Sequence, residues 1–341
     1  MARRLSAGAL ALAFALTITC GACGTRSPLA CEEELDPAAG GTLHFVVDRS
    51  TSMAQDGRWE TMRSALAEVM RSLDASVTVS VTLFPKPGGG SNGCAAGALA
   101  AGPTVAANGA AALAFLHATA ALPPNGGTPT ARTLADLLPT LEQTRKKRAV
   151  YVVLATDGGP NCGEARGDCP IDECTYNLEG TLDRCPPGGP RNCCLEQGDG
   201  CLDVSATNEV LRAYRQRDIP TYVVGVTDNM RLRGALDDMA VASGTPSAAG
   251  GAYYPVGEGL EHVRALLIGV MHDIATSCEV PLSAGSGERN FRVELDGAYA
   301  IAGDRSNGFT MDGSRLLLHG AACDARKSGA KLRVVTRGQC G

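Results

Sequence analysis

The chain has 341 residues, 44% of them hydrophobic, 20% charged and 4% aromatic, which is enough to bury one large core or two modest ones. A net charge of −5 excludes the global basic field that nucleic-acid binding calls for. Fourteen cysteines are too many for a reduced cytosolic protein of this size unless they hold metal, so the composition points outside the cytoplasm.

Taken in chain order, Arg3 and Arg4 precede an apolar run from Ala7 to Thr19, and small residues follow. That pattern fits a cleavable secretory signal peptide over residues 1–22 better than a membrane span. Cys20 and Cys23 are both candidates for a lipidated cysteine at the new N-terminus. Parity favours Cys23, because the twelve cysteines beyond it can then pair completely. Residues 23–41 read as a linker.

The main domain is expected over 42–276. Thr42 to Asp48 reads as a buried strand, Arg58 to Leu73 as a helix with Met62, Leu66, Val69, Met70 and Leu73 on one face, and Val77 to Phe84 as a strand. Gly88 to Gly109 reads as a Gly/Ala-rich connection and Ala110 to Thr119 as a short helix. Thr130 to Arg145 is amphipathic, with Pro139 expected to kink or divide it. Ala149 to Ala155 is a continuous apolar strand of the kind covered on both faces. Val204 to Gln216, Arg231 to Ala242 and Leu260 to Ile274 read as helices, and Thr221 to Val226 and Ala252 to Pro255 as strands. Strands alternating with helices predict an α/β fold: a doubly wound, mostly parallel open sheet.

Two pieces break the alternation. Residues 161–201 hold seven cysteines, many turn residues and no apolar period, and they read as a cysteine-rich insertion in a βα loop. Residues 277–341 contain strand-like stretches (Phe291 to Leu295, Arg315 to His319, Lys331 to Thr336) and read as a small β-rich C-terminal extension.

Three short segments bring oxygen ligands to strand ends: Asp48-Arg49-Ser50-Thr51-Ser52-Met53, Gly126-Gly127-Thr128-Pro129-Thr130 and Thr156-Asp157-Gly158. In a doubly wound sheet such loops share one face, so Asp48, Ser50, Ser52, Thr128 and Asp157 are expected to surround one point. Their hard oxygens suit Mg²⁺, with Mn²⁺ or Ca²⁺ as alternatives. Two carboxylates and neutral hydroxyls would leave the ion electrophilic, with an open position.

These residues resemble the metal-ion-dependent adhesion site (MIDAS) of von Willebrand factor A (vWA) domains, whose pattern is Asp-x-Ser-x-Ser, a distant Thr and a distant Asp. The Ser-Met ending and the Gly-Gly-Thr-Pro-Thr segment look like the bacterial secreted or lipoprotein branch, and Thr51 stands where many bacterial members have Gly. The resemblance covers about 42–276 without the insert. It implies that Ser50 and Ser52 coordinate directly, that Asp48, Thr128 and Asp157 do so directly or through water, and that a carboxylate from a protein partner completes the sphere.

Rival motifs have simpler readings. Gly88 to Gly93 fits a dinucleotide pattern, but no acidic residue follows until Asp136, so no nucleotide is expected. The same loop fits a hydrolase elbow with no placed His or Asp partner. Arg145-Lys146-Lys147-Arg148 ends a helix, and Arg166-Gly167-Asp168 reads as a turn. The insert lacks paired C-x-x-C knuckles, so disulfides are expected rather than zinc. It carries eight acids against three arginines between Cys162 and Cys201 and must rim the metal face. The expected pairing is Cys31–Cys278, Cys323–Cys340, one bond from Cys94 into the insert, and three more among Cys162, Cys169, Cys174, Cys185, Cys193, Cys194 and Cys201.

The expectation is therefore a non-enzymatic, divalent-metal-dependent ligand-binding or adhesion protein that meets a protein partner through a carboxylate. It would touch membrane only through a lipid anchor and would not bind nucleic acid. Its place would be a bacterial cell envelope, as an outer-membrane or surface lipoprotein, or otherwise periplasmic or secreted. A metal-assisted hydrolase, or an envelope scaffold in which the metal only orders loops, are the alternatives.

Overall fold

The computed structural model describes residues 30–35, 41–73, 77–88, 93–146, 148–163, 169–195, 198–247, 252–256, 269, 277–282, 290–312 and 315–339. The signal peptide expected over residues 1–22, Cys20 and Cys23, the Arg166-Gly167-Asp168 tripeptide and, apart from Gly269, the helix expected over Leu260 to Ile274 lie outside them.

In chain order the first part contains β1 (Ala30–Leu35), β2 (Thr42–Asp48), α1 (Arg58–Ser72), β3 (Thr78–Phe84), β4 (Ala98–Val105), α2 (Ala110–Thr119), α3 (Thr130–Arg145) and β5 (Val150–Thr156). Next come α4 (Thr175–Glu179), α5 (Val204–Gln216), β6 (Thr221–Gly225), α6 (Met230–Ser243) and β7 (Tyr254–Pro255). The remainder is β8 (Glu279–Pro281), β9 (Asn290–Leu295), β10 (Ala298–Ala300), β11 (Phe309–Asp312), β12 (Arg315–Leu318), α7 (Gly320–Lys327) and β13 (Leu332–Gln339).

The central sheet has six strands in the order β4-β3-β2-β5-β6-β7, parallel except where β4 pairs antiparallel with β3. Every residue of β2 and β5 is buried, because helices cover both faces of a parallel sheet. The strand period of two sorts β2 between two cores. Leu43, Phe45 and Val47 face α1 and α2 with Met62, Leu66, Met70 and Phe115, whereas Val46 faces α3, α5 and α6 with Leu134, Leu211, Tyr214 and Met239. The chain leaves β2 toward β3 on one side and returns to β5 on the other. The topological switch point therefore lies between the carboxyl ends of β2 and β5, where open α/β sheets leave a crevice.

Several elements depart from the sequence reading. The connection Gly88 to Gly109 contains the edge strand β4, whose Pro103 is tolerated there because an edge strand can spare a ladder donor. Pro139 does not divide α3, which runs as one 16-residue helix. The C-terminal unit is richer than a small β extension. It has a four-stranded sheet β1-β13-β9-β10, a three-stranded sheet β11-β12-β8 and the helix α7. Residues 30–35, expected in a linker, supply β1 to that unit, pairing antiparallel with β13 from Ala30↔Gln339 to Leu35↔Val334. Glu279 ties the unit to the main domain by accepting from Arg145 of α3 at 3.0 Å while also pairing with Arg315 of β12.

The insert cysteines and Cys94 close four bonds: Cys94–Cys162, Cys169–Cys201, Cys174–Cys194 and Cys185–Cys193. The sulfurs of Cys169, Cys194 and Cys201 cluster within 4.8 Å because two of these bonds stack in the insert's own small core, not because they hold zinc. In the tail, Cys278 bonds Cys323, which overturns both the Cys31–Cys278 and the Cys323–Cys340 pairings. The reason is register. Cys278 enters β8, which pairs with β12, and α7 follows β12 directly and carries Cys323, while Cys31 belongs to the other sheet. Cys340 and the side chain of Cys31 lie outside the described residues.

Candidate metal centre

The switch point is where the sequence-selected residues meet. Asp48 is the last residue of β2, and its carboxylate is fully buried. Its Oδ1 accepts from the Ser50 backbone N–H at 2.7 Å, folding the Asp-Arg-Ser turn over the strand end. Its Oδ2 accepts from the Thr156 hydroxyl at 2.6 Å, across from the end of β5. The Ser50 and Ser52 hydroxyls are 3.0 Å apart, and both residues are buried. Asp157 follows β5, fully buried, with Oδ2 facing the Arg58 guanidinium at 3.3 Å.

Neighbouring loops fix this arrangement. The Arg49 guanidinium donates to the carbonyls of Pro85 at 2.9 Å and Pro123 at 2.7 Å, so it clamps the loops after β2, β3 and α2 together. Thr51 donates its backbone N–H to the Gly126 carbonyl at 2.9 Å and accepts from the Gly126 N–H at 3.0 Å, so its hydroxyl bridges to the Gly126-Gly127-Thr128 loop. Thr128 is held by Asn161, whose side-chain oxygen accepts from its N–H at 2.6 Å and whose own N–H donates to its carbonyl at 2.9 Å. After Asp157 the chain needs Gly158 at φ +95°, where a Cβ would also strike Leu236.

Three buried carboxylates share this site, and the Arg58 guanidinium faces one of them. Burial, then the charge of Asp157, raises the Asp48 pKa to about 7. Burial likewise raises Asp157, with Ser52 and Arg58 pulling the other way. A third carboxylate, Glu179, is raised well above its ordinary value by burial and by Asp157 and Asp48. Buried carboxylates that outnumber the cations beside them are costly and shift toward the neutral form. Two of their oxygens, Asp157 Oδ1 and Glu179 Oε1, have no hydrogen-bond partner. A buried orphan oxygen costs on the order of 1–3 kcal/mol or more when charged. Hard anionic oxygens without donors, beside two paired hydroxyls, are a donor set that fits a divalent cation. Ser50, Ser52 and Thr128 line one polar cavity of about 330 Å³ together with Asn161, Thr175 and Glu179.

All five residues selected from the sequence are buried around this switch point. The sequence pattern gives no role to Arg58, Asn161 or Glu179 and names Thr156 only as the neighbour of Asp157. Arg58 was visible only as a helix start, Asn161 and Glu179 only as members of the insert.

No protein-family model matches the chain, and no curated protein matches it. Among solved structures, the manganese-loaded TRAP protein of Plasmodium vivax is 16% identical, with a TM-score of 0.44, over 70% of this chain and 77% of that one. The pilus adhesin SpaC of Lactobacillus rhamnosus GG is 16% identical, with a TM-score of 0.47, over 92% of this chain and 42% of its own. Proximal thread matrix protein 1 of the mussel byssus, with a zinc-occupied MIDAS motif, is 14% identical, with a TM-score of 0.41, over 71% of this chain and 47% of its own. The chain thus spans less than half the length of the latter two.

Proposed function

We propose that this chain is a divalent-cation-dependent ligand-binding protein of the vWA type, acting in adhesion at a bacterial cell envelope. The observation that carries the reading is the orphan Asp157 Oδ1, buried beside the Ser50–Ser52 hydroxyl pair and Asp48 at the sheet's switch point. Asp48, Ser50, Ser52, Thr128 and Asp157 would hold the ion, with Mg²⁺ or Mn²⁺ suiting an all-oxygen set. A bound cation supplies a positive centre with an exchangeable position for an acidic group of a protein partner. Around it, this chain's residues keep the carboxylates oriented: Thr156 and the Ser50 N–H fix both oxygens of Asp48, and Arg58 fixes one oxygen of Asp157.

Attachment through an acylated Cys23 belongs to the same proposal. Among the described residues no helix is long and apolar enough to cross a membrane, and the parity of the cysteines after Cys23 supports that residue over Cys20. Mass spectrometry of the mature N-terminus tests it.

Thermal unfolding with added Mg²⁺ or Mn²⁺ tests the site. Cation at a hundredfold excess over its Kd stabilises the fold by about 2.7 kcal/mol. That gain should vanish in Asp48→Ala and Asp157→Ala, and equal gains in all three proteins would refute the shared site. Crosslinking in Mg²⁺ against chelator then identifies the partner.

A further inference from the structure

Glu179 is the strangest group in the molecule. It is a carboxylate 8% exposed, it comes from the acidic insert rather than from the sheet, and its Oε1 has no hydrogen-bond partner. Two geometric observations place that carboxylate beside the metal centre. A Cβ built on Gly159, two residues past Asp157, would lie 2.0 Å from Glu179 Oε1. The same cavity wall presents Ser50, Ser52, Thr128 and Glu179.

The insert is constructed to hold it there. Glu179 ends the five-residue helix α4, and Gly180 follows in the left-handed conformation at φ +62°. The Glu179 carbonyl accepts from the Gln55 amide, and the Leu178 carbonyl accepts from the Asn229 amide at 2.9 Å. Both donors belong to loops of the main domain on the metal face. Asn177, two residues back, donates to the Arg191 carbonyl at 2.7 Å and accepts from the Cys193 N–H at 3.0 Å. The bonds Cys174–Cys194 and Cys185–Cys193 bracket the helix and its exit. The backbone at Glu179 is thus fixed against the main domain while its buried carboxylate keeps one oxygen without a partner.

We propose that Glu179 is an in-chain ligand of the same cation, so that the insert itself supplies a carboxylate to the metal and an arriving partner carboxylate must displace it. The inference rests on the metal-site reading above. In an octahedral Mg²⁺ or Mn²⁺ sphere each protein ligand excludes one water. Glu179 therefore makes the site self-liganded, with higher cation affinity and lower affinity for an outside acid than the five sheet-end residues alone would give.

The test uses Mn²⁺ on the whole chain, reading affinity by equilibrium titration and bound water by water-proton relaxation. Glu179→Ala and Glu179→Gln should each bind Mn²⁺ at least about 10-fold more weakly, since even losing an outer-shell group at a metal site costs that much. Their Mn²⁺ complexes should show higher relaxivity than wild type, from at least one added inner-sphere water. Acetate should lower the relaxivity of the Mn²⁺-loaded variants and leave wild type unchanged. Gly159→Ala, which pushes Glu179 aside without removing it, should reproduce the added water. Wild-type relaxivity and affinity in both Glu179 variants would overturn the proposal while leaving the metal site intact. Failure of wild type itself to bind Mn²⁺ would overturn both.

Discussion

The hydroxyl of Thr156 donates to Oδ2 of Asp48 at 2.6 Å, joining the carboxyl ends of two adjacent parallel strands at the point where the sheet reverses its order. Thr156 also accepts from the Gly158 N–H at 3.2 Å, so one buried hydroxyl organises both acidic segments of the site. Thr156→Val keeps the shape and removes both bonds. We expect a loss of about 1–3 kcal/mol in urea unfolding, the cost of orphaning a buried polar partner, together with weaker Mn²⁺ binding. Thr156→Ser should restore most of both, and an unchanged Thr156→Val would show that the bond is idle.

Asp48 sets the sign of the pH response of the metal-free protein. Its pKa in the fold, about 7, lies above the ordinary 3.8, so its contribution to stability is fully present below 3.8 and is lost as pH rises toward 7. Urea midpoints of the chelator-treated protein should accordingly fall less between pH 4 and 7 in Asp48→Asn than in wild type. Bound cation should reverse the trend, because it takes up the deprotonated carboxylate.

His44 acts in the opposite direction. It is buried in β2 on the face of α3, its Nε2 is 2.9 Å from the Thr82 hydroxyl, and burial lowers its pKa to about 4. A pKa below the unfolded value of 6.5 means that its contribution is present above pH 6.5 and is lost as pH falls toward 4. The loss is on the order of 3 kcal/mol. His44→Gln should flatten the acid side of the stability curve, and an equally steep acid loss in that variant would assign the effect elsewhere.

The Cys94–Cys162 bond ties the loop after β3 to the start of the insert, beside Gly127 of the Thr128 loop. It closes a segment of 68 residues, for which chain entropy gives roughly 4 kcal/mol. The double variant Cys94→Ser with Cys162→Ser should lose much of that in denaturant unfolding. Mn²⁺ affinity should fall further than the stability loss alone explains, since Thr128 and Asn161 are held by the same loops.

Much of this architecture was legible because it depends on adjacency or on simple periods. Runs such as TLHFVVD and VYVVLAT announce strands covered on both faces, and Asp48, Ser50 and Ser52 share one turn whose direction follows from the strand before it. Thr128 and Asp157 follow once the strands are parallel. The edge strand β4 was hidden because Gly and Pro interrupt it and its residues are half-exposed, leaving no apolar alternation. The Cys278–Cys323 bond depends on the pairing of β8 with β12, which no local pattern encodes. Glu179 was one acid among eight in a segment without period, and only the disulfide-locked path of the insert brings it inside.

Asp48 and Asp157 are expected to hold one cation between the ends of β2 and β5. Equilibrium dialysis of Mn²⁺ against wild type, Asp48→Ala and Asp157→Ala tests it most directly. We expect one ion per wild-type chain and none at the same free concentration in either variant. One ion per chain in all three proteins would contradict it.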